Sequence, residues 1–153
     1  MIVRLHHLAI SVPDLNKAVD FYCGTLGFEE VTRDSWRDSP ADDEMCGIIG
    51  VAGSYALLRL DDVWLEILEY ASPKPKPLPS DRRVCDLGLT HLCLLVDDAQ
   101  QEYERLCRAG MVFLSPPRPN GGEEGVSQGQ CAYGRDPFGN FVEFLQLDAK
   151  PGH

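Results

Sequence analysis

The chain has 153 residues, of which 44% are hydrophobic and 25% charged, and its formal net charge is −10. This balance predicts one folded domain with a buried core rather than a disordered chain. The negative charge argues against nucleic acid and anionic membrane surfaces as partners, because both need a basic patch. The charge does not bear on small-molecule substrates, because a bound cation can reverse the local field inside an acidic protein. No stretch reaches the roughly 18 apolar residues of a membrane span.

The N-terminal stretch MIVRLHHLAISVPDL predicts a strand and not a signal peptide. Its apolar residues are interrupted by arginine and histidine, and no small-residue cleavage site follows. The chain has six cysteines, and they are scattered without CxxC spacing. In the absence of a secretory signal, we expect free, mostly buried thiols and a cytoplasmic protein.

The sequence repeats one pattern, L-x-H-L-x-[I/L]-x-V-x-D. The pattern starts at Leu5 and again at Leu89, 84 residues later. Two further stretches correspond, LEIL from Leu65 and VEFL from Val142. Such self-similarity is typical of a duplicated supersecondary unit, and two copies fill the chain.

Hydrophobic periodicity predicts the elements of each copy in chain order. In the first copy they are a strand at 5–12, a helix at about 15–25 with Asp14 as N-cap, and strands at 28–31, 54–60 and 63–69. In the second copy, after the strand that carries the repeated pattern, they are a helix at 99–108 with Asp98 as N-cap, and strands at 111–114, 129–134 and 141–147. Each module is therefore βαβββ, and the fold class is α+β.

Irregular segments separate these elements. Residues 33–47 are predicted to be a loop over a cleft, and residues 120–125 a flexible turn or lid. The proline-rich stretch 72–84 predicts a stiff linker between module one, at about 1–71, and module two, at about 85–149. Residues 1–153 are thus expected to form a single domain of two modules, and an exposed strand edge on each module predicts a homodimer.

Four polar residues lie at matched places in the two copies. They are His7 and Glu66 in the first, and His91 and Glu143 in the second. Strand alternation places each of them on a mostly apolar face, where an unpaired carboxylate is costly. One divalent cation would resolve this cost for all four. His6 is the rival of His7, but alternation directs it to the opposite face.

The predicted ligand set is mixed and rich in oxygen. A closed structural zinc site favours cysteine and histidine ligands, whereas a catalytic site keeps positions open for water or substrate. Two His and two Glu suit nickel, cobalt, manganese, iron(II) or zinc, among which the sequence does not choose. The sequence therefore predicts an enzyme with one divalent ion as its cofactor.

The chain resembles the vicinal-oxygen-chelate superfamily, which includes glyoxalase I, methylmalonyl-CoA epimerase, extradiol dioxygenases and the bleomycin and fosfomycin resistance proteins. The resemblance rests on four stretches that span nearly the whole chain: HHLAISVPDLNKAVDFYCGTLGFEE, VWLEILEY, LTHLCLLVDD and YGRDPFGNFVEFLQ. It implies that the two βαβββ modules form a cupped mixed sheet around the metal. It also implies that His7, Glu66, His91 and Glu143 match the ligand positions of the lyase and epimerase branches.

In those branches the metal polarises a substrate carbonyl while a carboxylate moves a proton at the adjacent carbon. The resemblance thus implies a metal-dependent lyase or isomerase that acts on a small carbonyl compound. Glu143 is the first choice for a ligand that doubles as general base. Glu44, in the loop before the fourth element, roughly matches the place of a second base, although a solvated loop acid explains it equally well.

Two alternatives stay open. Tyr133, the turn DPFG and Glu143 match the end of the extradiol dioxygenase signature, but the histidine expected before the tyrosine is absent and that family does not use a glutamate at position 66. The other alternative is a non-catalytic drug-binding resistance protein, although such proteins typically lack the ligand set. Dependence on glutathione or CoA, and whether one chain or a dimer supplies the four ligands, are not determined by the sequence.

Overall fold

A computed structural model describes residues 1–124 and 126–148. Position 125, in the predicted turn, and position 149, at the end of predicted module two, lie outside the described residues. The chain divides into two compact units, Met1–Pro77 and Leu78–His153. Each unit is built on a mixed sheet, which confirms the predicted α+β class.

The first unit contains a four-stranded sheet and two helices. Its elements are β1 (Leu8–Ser11), α1 (Leu15–Gly24), β2 (Glu29–Trp36), α2 (Pro40–Cys46), β3 (Ala52–Leu60) and β4 (Val63–Ser72). The strand order is β1-β4-β3-β2, with β1 parallel to β4 and the other neighbours antiparallel. The predicted loop at 33–47 was wrong in part, because it contains the end of β2 and the whole of α2.

The second unit contains a five-stranded sheet and one helix. Its elements are β5 (His91–Leu95), α3 (Ala99–Arg108), β6 (Val112–Phe113), β7 (Arg118–Gly121), β8 (Gln128–Arg135) and β9 (Phe141–Leu147). The strand order is β5-β9-β8-β6, and β7 also pairs with β8. The predicted turn from residue 120 therefore begins inside β7. The glycines of that segment favoured the prediction of a turn over that of a strand.

The two units repeat the same hydrogen bonds at equivalent positions. Asp14 and Asp98 cap α1 and α3 by accepting from a backbone N–H three residues later, as predicted. The N–H of Leu15 donates to the Glu69 carboxylate, and the N–H of Ala99 donates to the Gln146 amide oxygen, both at 2.8 Å. A side chain of the last strand thus ties down the start of the helix in each unit.

Helix α1 packs on one face of the first sheet and forms the core there. Its apolar stripe is buried as predicted, with Ala18 and Tyr22 fully buried. They share the core with Leu58 and Ile67 on the facing strands, which are also fully buried. Because strand side chains alternate, residues at even positions of β4 are left on the opposite face of the sheet.

The turn between β8 and β9 is held by Asp136, which is 4% exposed. One of its carboxylate oxygens accepts from the backbone N–H groups of Phe138, at 2.9 Å, and Asn140, at 2.8 Å. Gly139 supplies the left-handed backbone that the turn needs, with φ of 93°. The turn that was predicted to feed the last strand is confirmed, and it sets the start of β9.

The cysteines are free, but the prediction that most are buried was wrong. Cys46, Cys85, Cys93 and Cys107 are exposed, and Cys23 and Cys131 are half-buried. Cys107 was expected to face inward on α3, but the buried residues of that helix are Ala99 and Leu106. Among the described residues, no helix is both long and apolar enough to cross a membrane.

Candidate functional site

His7 and Glu66 form the first of two His–Glu pairs. His7 immediately precedes β1, and Glu66 lies in β4 on the face opposite α1. The Nε2 atom of His7 is 3.4 Å from a carboxylate oxygen of Glu66. The side chains are 36% and 23% exposed, so the pair lies at the surface of its unit and is partly shielded from solvent.

His91 and Glu143 form the second pair, in the second unit. The Nε2 atom of His91, the first residue of β5, is 3.1 Å from a carboxylate oxygen of Glu143 in β9. Glu143 pairs in register with Cys93, and Glu66 pairs with Ala9, so each glutamate lies opposite the residue two positions after its histidine. The two His–Glu pairs therefore occupy equivalent positions in the strand pairing of the two units.

Each histidine engages the preceding residue through its other ring nitrogen. The Nδ1 of His91 is 2.8 Å from the Thr90 hydroxyl, and the Nδ1 of His7 is 2.8 Å from the Nδ1 of His6. These contacts leave Nε2 directed at the carboxylate. The prediction that His6 points away from His7 was wrong, because both residues precede β1 and strand alternation does not apply to them.

Tyr133 lies in β8, on the side of β9 opposite to β5, and pairs in register with Glu143. Its ring meets the His91 ring edge to face, with centroids 5.1 Å apart. Burial, together with the charge of Glu143 and a hydrogen bond to its carboxylate, raises the pKa of Tyr133 to about 12. The phenol therefore stays protonated at neutral pH and acts as a hydrogen-bond donor beside Glu143.

A hollow of about 320 Å³ opens on the face of the first sheet that carries Glu66. Aromatic and acidic side chains dominate its lining, and we call it the aromatic cavity. The residues that line it are Trp36, Asp42, Met45, Cys46, Tyr55, Glu66, Leu68 and Tyr70. Glu66, a candidate metal ligand, thus forms part of the wall of a hollow of the size that small molecules occupy.

Trp36 lines the aromatic cavity, and Gly53 lies against its indole ring. A Cβ atom at position 53 would lie 2.7 Å from the Trp36 ring and would also clash with the backbone oxygen of Glu69, so only glycine admits this packing. Among the described residues, the Trp36 Nε1 is the buried side-chain polar atom that has no hydrogen-bond partner. A buried donor without a partner costs about 1–3 kcal/mol.

Helix α2 contributes three residues to the lining of the aromatic cavity and is fixed by polar residues. Ser39 caps it, and the Asp43 carboxylate accepts from the backbone N–H groups of Gly50, at 2.8 Å, and Val51, at 2.9 Å. Asp42 lines the aromatic cavity. Glu44, the predicted second base, is exposed and is not part of that lining.

Tyr70 places a second phenol near Glu66, a candidate metal ligand. Burial first, and then the charges of Cys46 and Glu66, raises the pKa of Tyr70 above its ordinary value of 10.0. Its ring meets that of Trp36 edge to face, with centroids 5.6 Å apart. At neutral pH, Tyr70 therefore offers a phenol O–H to the aromatic cavity.

The geometry of each pair fits two ligands of one metal ion. Ligand atoms about 2.1 Å from an ion lie roughly 3.0 Å apart at a right angle and roughly 3.4 Å apart at the tetrahedral angle. The observed separations are 3.1 Å and 3.4 Å. No lysine or arginine within residues 1–124 and 126–148 forms an ion pair with either glutamate, so a cation would complete the charge balance.

Each unit brings together two of the four predicted ligands. Within the part of the chain that the structure describes, no group of three or more His, Cys, Asp or Glu side chains is arranged to hold a metal ion. The meeting of all four residues at a single ion therefore stays a prediction. The pairing of His7 with Glu66 and of His91 with Glu143 is an observation.

Sequence reasoning missed three features of the site. The ring-nitrogen partners His6 and Thr90 occupy equivalent positions 84 residues apart, and the repeat could have identified them. A cleft under residues 33–47 was predicted, but the aromatic lining of the cavity was not, because it comes from strands and a helix separated along the chain. The sequence did not show that Asp42, and not Glu44, lines the cavity, because both lie in one acidic run. Their side chains point in different directions because the segment is a helix.

The comparisons with known proteins agree with this architecture. The profile of the Glyoxalase/Bleomycin resistance protein/Dioxygenase superfamily matches residues 4–144. The chain is 32% identical to a 2-epi-5-epi-valiolone epimerase of an Actinomyces species, over 96% of this chain and 81% of that protein. It is 29% identical to an ethylmalonyl-CoA/methylmalonyl-CoA epimerase of Cereibacter sphaeroides, over 82% of this chain and 84% of that protein.

A solved structure shows the same fold. The crystal structure of a glyoxalase family protein from Bacillus cereus superposes with a TM-score of 0.81 at 16% identity and covers 95% of each chain. Together with the profile match, these findings show that the chain belongs to the Glyoxalase/Bleomycin resistance protein/Dioxygenase superfamily.

Proposed function

We propose that this protein is a divalent-metal-dependent epimerase, which moves a proton at a carbon next to a carbonyl group. The observation that carries this proposal is the repeated His–Glu pair, with Nε2 and carboxylate oxygen 3.4 Å apart in one unit and 3.1 Å apart in the other. Two relatives whose names specify epimerases support the isomerase type over the lyase type.

His7, Glu66, His91 and Glu143 are the residues that would hold the ion. A bound divalent ion would act as a Lewis acid on the substrate carbonyl and so make the neighbouring C–H more acidic. The same distances also describe a direct His–Glu hydrogen bond, and metal analysis separates the two cases.

We assign proton transfer to Glu143. Its side chain is only 12% exposed, so few water molecules compete with a substrate for its carboxylate. The phenol of Tyr133 donates to this carboxylate and restricts its orientation. Epimerisation also requires a proton to be returned to the opposite face of the carbon, so a second acid is needed.

Glu44 stays the predicted second acid–base group, and Asp42 is its rival on the same helix because it lines the aromatic cavity. The comparison of Glu44→Gln with Asp42→Asn separates them. If Glu44 acts in catalysis, Glu44→Gln lowers kcat by about 10²–10⁴-fold with KM unchanged. A kcat within twofold of wild type would remove Glu44 from the mechanism.

Solvent-deuterium exchange tests the proposed function. The purified chain is loaded with Mn, Co, Ni, Zn or Fe(II) and incubated in deuterated water with carbonyl compounds that carry an α-proton, and exchange is followed by NMR. We expect exchange that requires the metal and is lost in Glu143→Gln. Absence of exchange with cyclic ketones, 2-oxo acids and acyl thioesters would contradict the proposal. Oxygen consumption with a catechol and iron(II) would instead support ring cleavage, and drug binding without turnover a resistance protein.

A further inference from the structure

The lining of the aromatic cavity combines acidic and aromatic side chains and contains no basic one. Of the described residues that line it, Asp42 and Glu66 are acidic, and none is lysine, arginine or histidine. If Glu66 and Glu143 hold a divalent ion, their two carboxylates balance its charge, and the Asp42 carboxylate remains. This carboxylate attracts a positively charged group in the cavity and repels a negatively charged one.

The carboxylate of Asp42 has no cationic partner among the side chains that the structure describes. Asp42 is half-buried in the first turn of α2, where its backbone N–H donates to the Ser39 hydroxyl at 3.3 Å. No described lysine, arginine or histidine forms an ion pair with it. A half-buried carboxylate gains more from a counter-charge than an exposed one, because less water screens the interaction. A ligand can supply that charge.

Three aromatic rings supply a second attraction for a cation. The rings of Trp36 and Tyr70 meet at 83° with centroids 5.6 Å apart, so that they form a corner. Tyr55 adds a third ring, whose centroid is 6.4 Å from that of Trp36. The face of an aromatic ring carries partial negative charge and attracts an ammonium group. Several aromatic rings around one hollow are typical of sites that bind alkylated ammonium groups.

The apolar part of the lining favours an alkylated ammonium group over a primary one. Met45 and Leu68 present hydrocarbon and a thioether to the cavity, and these groups contact methyl groups well. A primary ammonium group brings three N–H donors, each of which needs an acceptor when it leaves water. A quaternary ammonium group needs none.

We propose that the aromatic cavity binds an alkylated ammonium group, and that the substrate carries this group in addition to its carbonyl. The group would lie against the rings of Trp36, Tyr55 and Tyr70, near the carboxylate of Asp42. Because Glu66 belongs to the same lining, one small molecule can reach both the cavity and the proposed metal ligand. The assignment to the substrate rests on the proposed function, whereas binding of the cation requires no catalysis.

Calorimetric titration with two probes of equal shape tests this inference. Choline carries a trimethylammonium group, and 3,3-dimethyl-1-butanol has carbon in place of the nitrogen and no charge. Both carry the same hydroxyl, so any contact of the hydroxyl with the metal is matched. The metal-loaded wild type is compared with Asp42→Asn, Tyr55→Leu and the control Asp62→Asn, which removes one charge from an exposed turn of the same unit. Thermal melts establish that each variant is folded.

We expect choline to bind at least about tenfold more tightly than the neutral alcohol. Asp42→Asn should weaken choline about fivefold or more and change the alcohol by less than about twofold, because only choline loses a counter-charge. Tyr55→Leu should weaken choline about threefold more than it weakens the alcohol, and Asp62→Asn should match wild type. No binding of choline, equal binding of the two probes, or equal effects of Asp42→Asn and Asp62→Asn would overturn the inference.

Solvent-deuterium exchange tests the assignment to the substrate with a second matched pair. Betaine aldehyde carries a trimethylammonium group beside its α-protons, and 3,3-dimethylbutanal is its uncharged counterpart. Relative to exchange without the protein, the metal-loaded chain should accelerate exchange into the cationic aldehyde at least about tenfold more than into the neutral one. Equal acceleration of the two would overturn the assignment.

The outcomes also separate this inference from the proposed function. Metal-dependent exchange into carbonyl compounds, without any preference for the cationic probes, would overturn only this inference. A preference for choline without exchange in any carbonyl compound would overturn the proposed function and the assignment to the substrate, and the cation site would stand. If Tyr55→Leu fails to fold, Asp42→Asn with its control still decides the question, because Asp42 is not part of the core.

Discussion

The hydrogen bond of Glu69 offers a test of the fold, because the second unit contains the equivalent contact and serves as an internal control. Its carboxylate accepts from the N–H of Leu15 at 2.8 Å, and Gln146 accepts from the N–H of Ala99 at the same distance in the second unit. The second unit therefore shows that a neutral amide can make this contact. We predict that Glu69→Ala destabilises the protein, whereas Glu69→Gln largely preserves it.

The size of the effect follows from the geometry. A hydrogen bond to a charged group contributes about 1.5–3 kcal/mol, which Glu69→Ala loses. The unfolding midpoint shifts by roughly 2–4 °C per kcal/mol in a chain of this length, so the expected decrease is about 3–12 °C. Glu69→Gln keeps the hydrogen bond and loses only the interaction of the charge with the helix N-terminus, about 0.3–1 kcal/mol.

Differential scanning calorimetry of the two variants, with Gln146→Ala as the counterpart in the second unit, measures these shifts. Gln146→Ala should cost less than Glu69→Ala, because its lost bond is neutral. A midpoint for Glu69→Ala within about 1 °C of wild type would refute this account, because the lost bond corresponds to at least about 3 °C. Equal losses for Glu69→Ala and Glu69→Gln would show that charge, and not the hydrogen bond, is responsible.

Three further predictions concern local structure. Gly53→Ala should destabilise the chain by about 1–3 kcal/mol and shift Trp36 fluorescence, because the new Cβ meets the indole at 2.7 Å; unchanged emission and stability would contradict the packing. Asp136→Ala should cost about 2–4 kcal/mol in urea unfolding, since two backbone N–H groups lose a charged acceptor, and Asp136→Asn should cost less. The pKa of Asp14 is held below 3.8, chiefly by the backbone N–H of Lys17, so its stabilisation is present above pH 3.8 and is lost as the pH falls through the lowered pKa. Asp14→Ser should make acid unfolding less steep, and identical acid limbs would count against this assignment.

Much of the fold could be predicted from the sequence, because local signals coincide with tertiary structure. The caps Asp14 and Asp98, the apolar stripe of α1 and the turn at Asp136 are each determined by neighbouring residues. The repeat supplied the equivalence of the two units, and the structure shows it in the matched register at Glu66 and Glu143.

The remainder depended on tertiary contacts that local patterns do not contain. Helix α2 has no buried residue, so it lacks the periodic apolar stripe that identifies a helix, and its charges suggested a loop. His6 was assigned to the wrong side because the strand begins only at Leu8. The aromatic cavity depends on Gly53, whose role appears only once Trp36 packs on it.

The central claim is that His7, Glu66, His91 and Glu143 bind a divalent ion, and metal affinity tests it most directly. Titration of the metal-free protein, followed by calorimetry, is compared with Glu66→Gln, Glu143→Gln and the control Glu69→Gln, which changes the opposite face of the same strand as Glu66. We predict one ion per chain in the wild type and in the control, and a loss of affinity of at least about tenfold in Glu66→Gln and in Glu143→Gln. Equal affinity in all four proteins, or no binding in the wild type, would contradict the claim.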